Sequence, residues 1–166
     1  MRWMWIDKFV AFEPGRRAVA VKNVTLAEDH LRDHFPGFPV MPPSLMIEGM
    51  AQTAGILVGE ARGFRENVIL AKISRARFDD YAFPGDQLRY AATIDLLDDR
   101  AAVTRGGVEK NGATIGTVDL MFSHVGNASQ IAGLPERNFV FTDQFTDLLA
   151  SIRGASDEGG GGANGH

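Results

Sequence analysis

The sequence predicts an α+β fold in which a strongly curved antiparallel sheet wraps around one long buried helix. Two observations carry this. From Pro42 or Pro43 to about Glu60, Leu45, Met46, Ile47, Met50, Ala51, Ala54, Ile56, Leu57 and Val58 cover nearly the whole circumference of a helix. Two stretches with strand-like patterning precede that segment and several follow it, separated by turn sequences. A helix that is apolar all round needs cover on every side, and a curved sheet supplies it.

At 166 residues, 45% of them hydrophobic, the chain has the length of one domain with a real core. Its lack of cysteine excludes disulfides and thiolate metal sites. A net charge of −4 argues against nucleic acid as a partner. The run Met1–Asp7 is too short for a secretory signal and has no cleavage site. The apolar helix carries Glu48 and Gln52 inside it, which argues against a membrane span. The expected setting is the cytoplasm.

Taken in order, residues 3–13 carry Trp3, Trp5, Ile6, Phe9, Val10 and Phe12 and end at the turn Glu13-Pro14-Gly15. Ala18 to Thr25 alternates around Val19, Val21 and Val24, so these segments are expected to pair as strands. Leu26 to Asp33 reads as an acidic, solvated connector. Were it helical, His30 and His34 would share a face as a metal pair, with Asp29 or Asp33 as third ligand. Zinc helices of the metalloprotease type place Glu directly after the first His, whereas Leu31 stands here, and no metal is expected. After the helix, Arg62–Asn67 is a polar break. Strands are expected at Val68–Ala82, Leu88–Leu97, Ala101–Val108 and Ala113–Val125, the last two joined by the hairpin signal Asn111-Gly112. Gly49, Gly55 and Gly59 each cost up to ~1 kcal/mol in a helix, which suits close approach of sheet or partner backbone.

Residues 1–125 form the expected domain. Residues 126–153 read as an extension with an extended piece and a short helix, Phe145, Leu148, Leu149 and Ile152 sharing one side. The glycine-rich tail, 154–166, is expected to be disordered.

The chemistry-bearing residues lie around the start of the helix. Ser44, Glu48 and Gln52 are four apart and stack on one face. A carboxylate on a buried helix must be paired, hydrogen-bonded or protonated, so Glu48 is either an acid/base group or a packing residue bonded to Gln52. His34 lies just before the turn Phe35-Pro36-Gly37-Phe38-Pro39, whose prolines hold the backbone as a catalytic imidazole requires.

The run His34-Phe35-Pro36-Gly37-Phe38-Pro39-Val40-Met41-Pro42-Pro43-Ser44-Leu45-Met46-Ile47-Glu48-Gly49-Met50-Ala51-Gln52 resembles the active-site segment of the 3-hydroxyacyl-[acyl-carrier-protein] dehydratases, enzymes of the hot-dog fold. Val21–Thr25, Ala76-Arg77-Phe78 and Phe83-Pro84-Gly85-Asp86-Gln87-Leu88 extend the likeness over roughly residues 3–125. The resemblance implies removal of water from a (3R)-3-hydroxyacyl thioester in fatty-acid or related acyl-chain synthesis, with His34 as base, Glu48 as acid and no cofactor. It implies a homodimer whose sites combine His from one subunit with Glu from the other. The substrate would arrive on acyl carrier protein or coenzyme A. Ser44, Leu45 and Gln52 would position the thioester, and Met41, Met46 and Phe83 would line the acyl pocket, although core packing explains the same three.

Two positions depart from the family pattern. Pro43 stands where the family has a glycine whose N–H meets the thioester carbonyl, and proline has no N–H. Ser44 N–H, Leu45 N–H, the Ser44 hydroxyl or the helix dipole would have to replace it. Asp79-Asp80 stands where the family carries basic residues, leaving Lys72, Arg75 and Arg77 as contacts for an acidic carrier. The alternatives to a dehydratase are a hot-dog thioesterase and a non-catalytic acyl-thioester-binding subunit.

Overall fold

The computed structural model of the protein describes residues 3–125, Val140 and 147–150. Its elements are β1 (Lys8–Glu13), β2 (Arg17–Asn23), the single turn α1 (His30–Asp33), α2 (Pro43–Ala61), β3 (Asn67–Phe78), β4 (Gln87–Leu97), β5 (Ala101–Lys110) and β6 (Ala113–Val125). The six strands form one antiparallel sheet in the order β1-β2-β4-β5-β6-β3. Helix α2 touches every strand from β2 to β6, and Gly49 through Gly59 are all buried against them. This is the α+β architecture expected from the apolar circumference of the helix.

Two close fits fix helix against sheet. A side-chain carbon on Gly49 would stand 2.6 Å from the Tyr90 ring of β4, and one on Gly106 of β5 would meet the Met50 sulfur at 2.4 Å. Gly49 is therefore demanded by a sheet side chain rather than by sheet backbone. Gly55 has only an ordinary contact with Phe122 at 3.6 Å.

Several boundaries differ from the sequence reading. Residues 3–6 lie outside β1, which begins at Lys8. Strand β3 ends at Phe78 rather than Ala82. The Asp79 N–H still reaches Ile115 O at 2.8 Å, but the Ala82 carbonyl accepts from Met41 N–H at 2.8 Å and so ties the next loop to the start of α2. The Leu26–Asp33 connector is not simply solvated. Lys22 is buried and its ammonium sits 2.6 Å from Glu28 and 3.4 Å from Asp7, the compensation a buried cation needs. The His30 ring packs edge-on against Trp5, 5.2 Å between centroids, and burial holds its pKa below the ordinary value. Asn111 (φ 51°) and Gly112 (φ 89°) take the positive φ values that a type I′ hairpin requires.

The expected extension and tail, 126–153 and 154–166, lie outside the described residues except for Val140 and 147–150. There, Leu149 is buried in the main core and Leu148 packs against it. No helix among the described residues is long and apolar enough to cross a membrane.

Candidate active site

The stretch 34–41 is a closed turn. Phe35 and Phe38 exchange backbone hydrogen bonds at 2.8 Å each way, Val40 N–H donates to His34 O at 3.0 Å, and Gly37 takes φ +76° at its tip. Its prolines have no N–H to leave unsatisfied, so these few bonds suffice to close it. The same turn orients the imidazole. His34 Nδ1 lies 2.9 Å from the Val40 carbonyl, which can only accept, so Nδ1 carries the proton and Nε2 keeps its lone pair. The Phe35 ring stacks on the imidazole, 4.1 Å between centroids.

Glu48 is half-buried one turn after Ser44. Its Oε1 accepts from Gln52 Nε2 at 3.0 Å and from the Trp3 indole Nε1 at 3.2 Å. Gln52 is in turn gripped by the chain's beginning: its Oε1 accepts from Trp5 N–H at 2.8 Å and its Nε2 also donates to Trp3 O at 3.2 Å. Gln52, expected among the thioester-positioning residues, is buried, and both ends of its amide are engaged inside the protein. Among the described residues no hydrogen bond joins His34 to Glu48.

At the start of α2 the donors sort clearly. Pro42 is the cap and Pro43 the first helical residue. Leu45 N–H, one of the expected thioester donors, is committed to Pro42 O at 2.9 Å, and Met46 N–H reaches the same carbonyl at 3.3 Å. Ser44 is exposed, and among the described residues its N–H has no backbone acceptor. It is the first donor the helix offers, at its positive end.

Of the expected acyl-lining residues, Met41 and Met46 are fully buried in the core of the chain, while Phe83 remains partly exposed. Phe83 packs edge-on against Phe38 at 5.2 Å, and Tyr81 approaches both rings at 6.2–6.3 Å. The acidic pair after β3 is offset locally. Asp79 bonds Arg77 at 2.9 Å, and Asp80 bonds Lys110, whose hydrogen bond, with the Tyr81 N–H, holds the Asp80 carboxyl below its ordinary pKa. Among the described residues Lys72 has no ion pair, and Arg75 lies 3.7 Å from Asp119. No group of three His, Cys, Asp or Glu arranged to hold a metal lies among the described residues.

The sequence reading did not find Trp3 as a neighbour of Glu48. A separation of 45 residues leaves no periodic signal, and tryptophan in an apolar stretch reads as core.

The family model described as a FabA-like domain matches residues 2–119. The 3-hydroxyacyl-[acyl-carrier-protein] dehydratase FabZ of Halalkalibacterium halodurans is 38% identical over 124 residues, covering 73% of this chain and 87% of the relative. FabZ of Pelotomaculum thermopropionicum is 36% identical over 122 residues, with the same shares of 73% and 87%. Among solved structures, the dehydratase heterocomplex ApeI:P from Xenorhabdus doucetiae superposes with a TM-score of 0.66 at 17% identity, covering 78% of this chain and 88% of that one. That likeness establishes the hot-dog fold.

Proposed function

The chain belongs to the FabA-like family of 3-hydroxyacyl-[acyl-carrier-protein] dehydratases, and on that footing we propose that it removes water from a (3R)-3-hydroxyacyl thioester to give the trans-2-enoyl thioester, acting in the cytoplasm as a homodimer. The observation that carries the mechanism is the commitment of His34 Nδ1 to the Val40 carbonyl. It leaves Nε2 as the base that takes the C2 proton. Electrons from the C2–H bond become the C2=C3 bond, the C3–O bond breaks, and Glu48 delivers a proton so that the hydroxyl leaves as water. The charge that builds on the thioester oxygen needs a donor, and Ser44 N–H, at the helix N-terminus, takes the place that Pro43 cannot fill. Proton return from the imidazolium to the Glu48 carboxylate resets the site.

The homodimer reading has support in β3. Among the described residues this twelve-residue edge strand pairs only with β6, and Leu70 and Ile73 are exposed on it. In such a dimer the family resemblance implies that His34 of one subunit works with Glu48 of the other. The acyl group would arrive on acyl carrier protein or coenzyme A, with Lys72 and Arg75 as contacts for its phosphates and acidic groups. Phe83, and Met41 and Met46 from beneath, would border the acyl chain.

Incubation with a 3-hydroxyacyl thioester tests the reading. The expected product is the enoyl thioester, lost in His34→Ala. Release of free thiol instead would mean a thioesterase, and no turnover by a folded, acyl-binding chain would mean a binding subunit.

A further inference from the structure

The stretch 3–6 belongs to no strand, yet it is held in place. Trp5 is 3% exposed and packs in the core, and Trp3 meets it edge-on at 5.5 Å. Trp3 itself is 57% exposed, so burial of its ring does not explain its position. What distinguishes it is the direction of its indole N–H, which donates to Glu48 Oε1 at 3.2 Å beside the Gln52 amide at 3.0 Å.

We infer that Trp3 is a positioning residue for Glu48, its indole N–H holding Oε1 so that Oε2 is the oxygen presented to the leaving hydroxyl. The inference rests on the dehydratase reading and deepens it. An oxygen that accepts two N–H bonds has the carbonyl role in a carboxylic acid, so the transferable proton sits on Oε2. During elimination the Oε2–H bond breaks, the proton joins the departing oxygen, and the new carboxylate charge spreads onto Oε1. Both N–H bonds then become charge-assisted. They strengthen as the reaction proceeds, so their contribution falls on kcat rather than on substrate binding. The chain's beginning thus does for Glu48 what the Val40 carbonyl does for His34: it decides which atom faces the chemistry.

Trp3→Phe keeps an aromatic edge against Trp5 and removes only the N–H. It should lower kcat about tenfold, leave KM within about twofold, and leave Tm within about 2 °C. A second readout does not need turnover. The chain has two tryptophans, so a proton–nitrogen correlation spectrum shows two indole signals, and Trp3→Phe assigns them. Glu48→Leu should move the Trp3 signal and speed its hydrogen exchange while the Trp5 signal stays. Unchanged kcat in Trp3→Phe, with wild type active, overturns the positioning role and leaves the dehydratase reading standing. So does a Trp3 signal indifferent to Glu48→Leu, or a loss of kcat matched by a large fall in Tm. A wild type that yields no enoyl product overturns the dehydratase reading and this role together, whatever the indole signal shows.

Discussion

His34 and Glu48 are held in different ways. The imidazole is fixed by its own loop: the bond to Val40 O spans six residues, and prolines and a left-handed glycine close the turn around it. The carboxylate is fixed from far along the chain, directly by Trp3, 45 positions away, and through Gln52 by Trp5, 47 positions from that amide. A locally determined group stays oriented wherever its loop survives. A group held by long-range contacts is oriented only once the first residues of the chain have docked on the helix. Damage to the rest of the fold should therefore reach Glu48 before it reaches His34.

The largest expected effect tests whether the two halves act together. His34→Ala and Glu48→Ala should each lower kcat by about 10²–10⁴, the range for loss of a general base or acid. Mixed after subunit exchange, the two inactive chains should recover activity at one of two sites in the heterodimer. Confirmed exchange without recovery would mean that each site draws both groups from one chain.

Gln52→Leu strikes the long-range half alone. It leaves the Trp5 N–H without its acceptor and Glu48 with one donor, so a stability loss of about 1–3 kcal/mol is expected together with a fall in kcat. Thermal melts and steady-state kinetics on the same sample check this. If kcat is unaffected, Glu48 does not depend on its bracket and the contrast with His34 disappears.

Pro43→Gly adds a second donor beside Ser44 N–H at the junction of the two halves. It should raise kcat about tenfold if one donor is limiting. It should also cost about 0.4–1 kcal/mol of stability through the greater freedom of the unfolded chain. An unchanged rate would mean that Ser44 N–H suffices.

A smaller effect lies at the other end of α2. The His124 ring is buried near Arg62, and desolvation, then the Arg62 charge, holds its pKa below 6.5. Its nitrogen lies 3.6 Å from Glu66, but desolvation dominates, so the ring is neutral and this is not an ion pair at neutral pH. The unfolded chain binds the proton more readily. Stability is thus full above pH 6.5 and falls as the pH drops from there toward the folded-state pKa. His124→Leu should flatten part of that acid loss in Tm, with His30, lowered by the same cause, retaining the remainder. A Tm profile identical to wild type between pH 7.5 and about 5 would reject this. The smallest effect is expected on removal of 154–166, which should leave Tm nearly unchanged, whereas cutting before Asp143 also removes buried Leu149 and should destabilise.

Much of this protein was determined by short-range rules that a sequence displays. The extent of α2 follows from proline at its first turn and an apolar circumference, the β5–β6 hairpin from Asn111-Gly112, and the His34 turn from its prolines and Gly37. Fold class was legible for the same reason, and so were His34 and Glu48 as candidate reactive groups: local backbone chemistry and helical spacing constrain neighbours in sequence. Tertiary structure decided the rest. Only when the chain closed did Glu28 become the partner of buried Lys22, Tyr90 the reason for Gly49, and Pro42 O the acceptor of Leu45 N–H. Trp3 came to lie on Glu48 in the same way. Hydrogen bonds and close contacts depend on atoms meeting in space, and across 45 residues no periodicity in the sequence reports which atoms will meet.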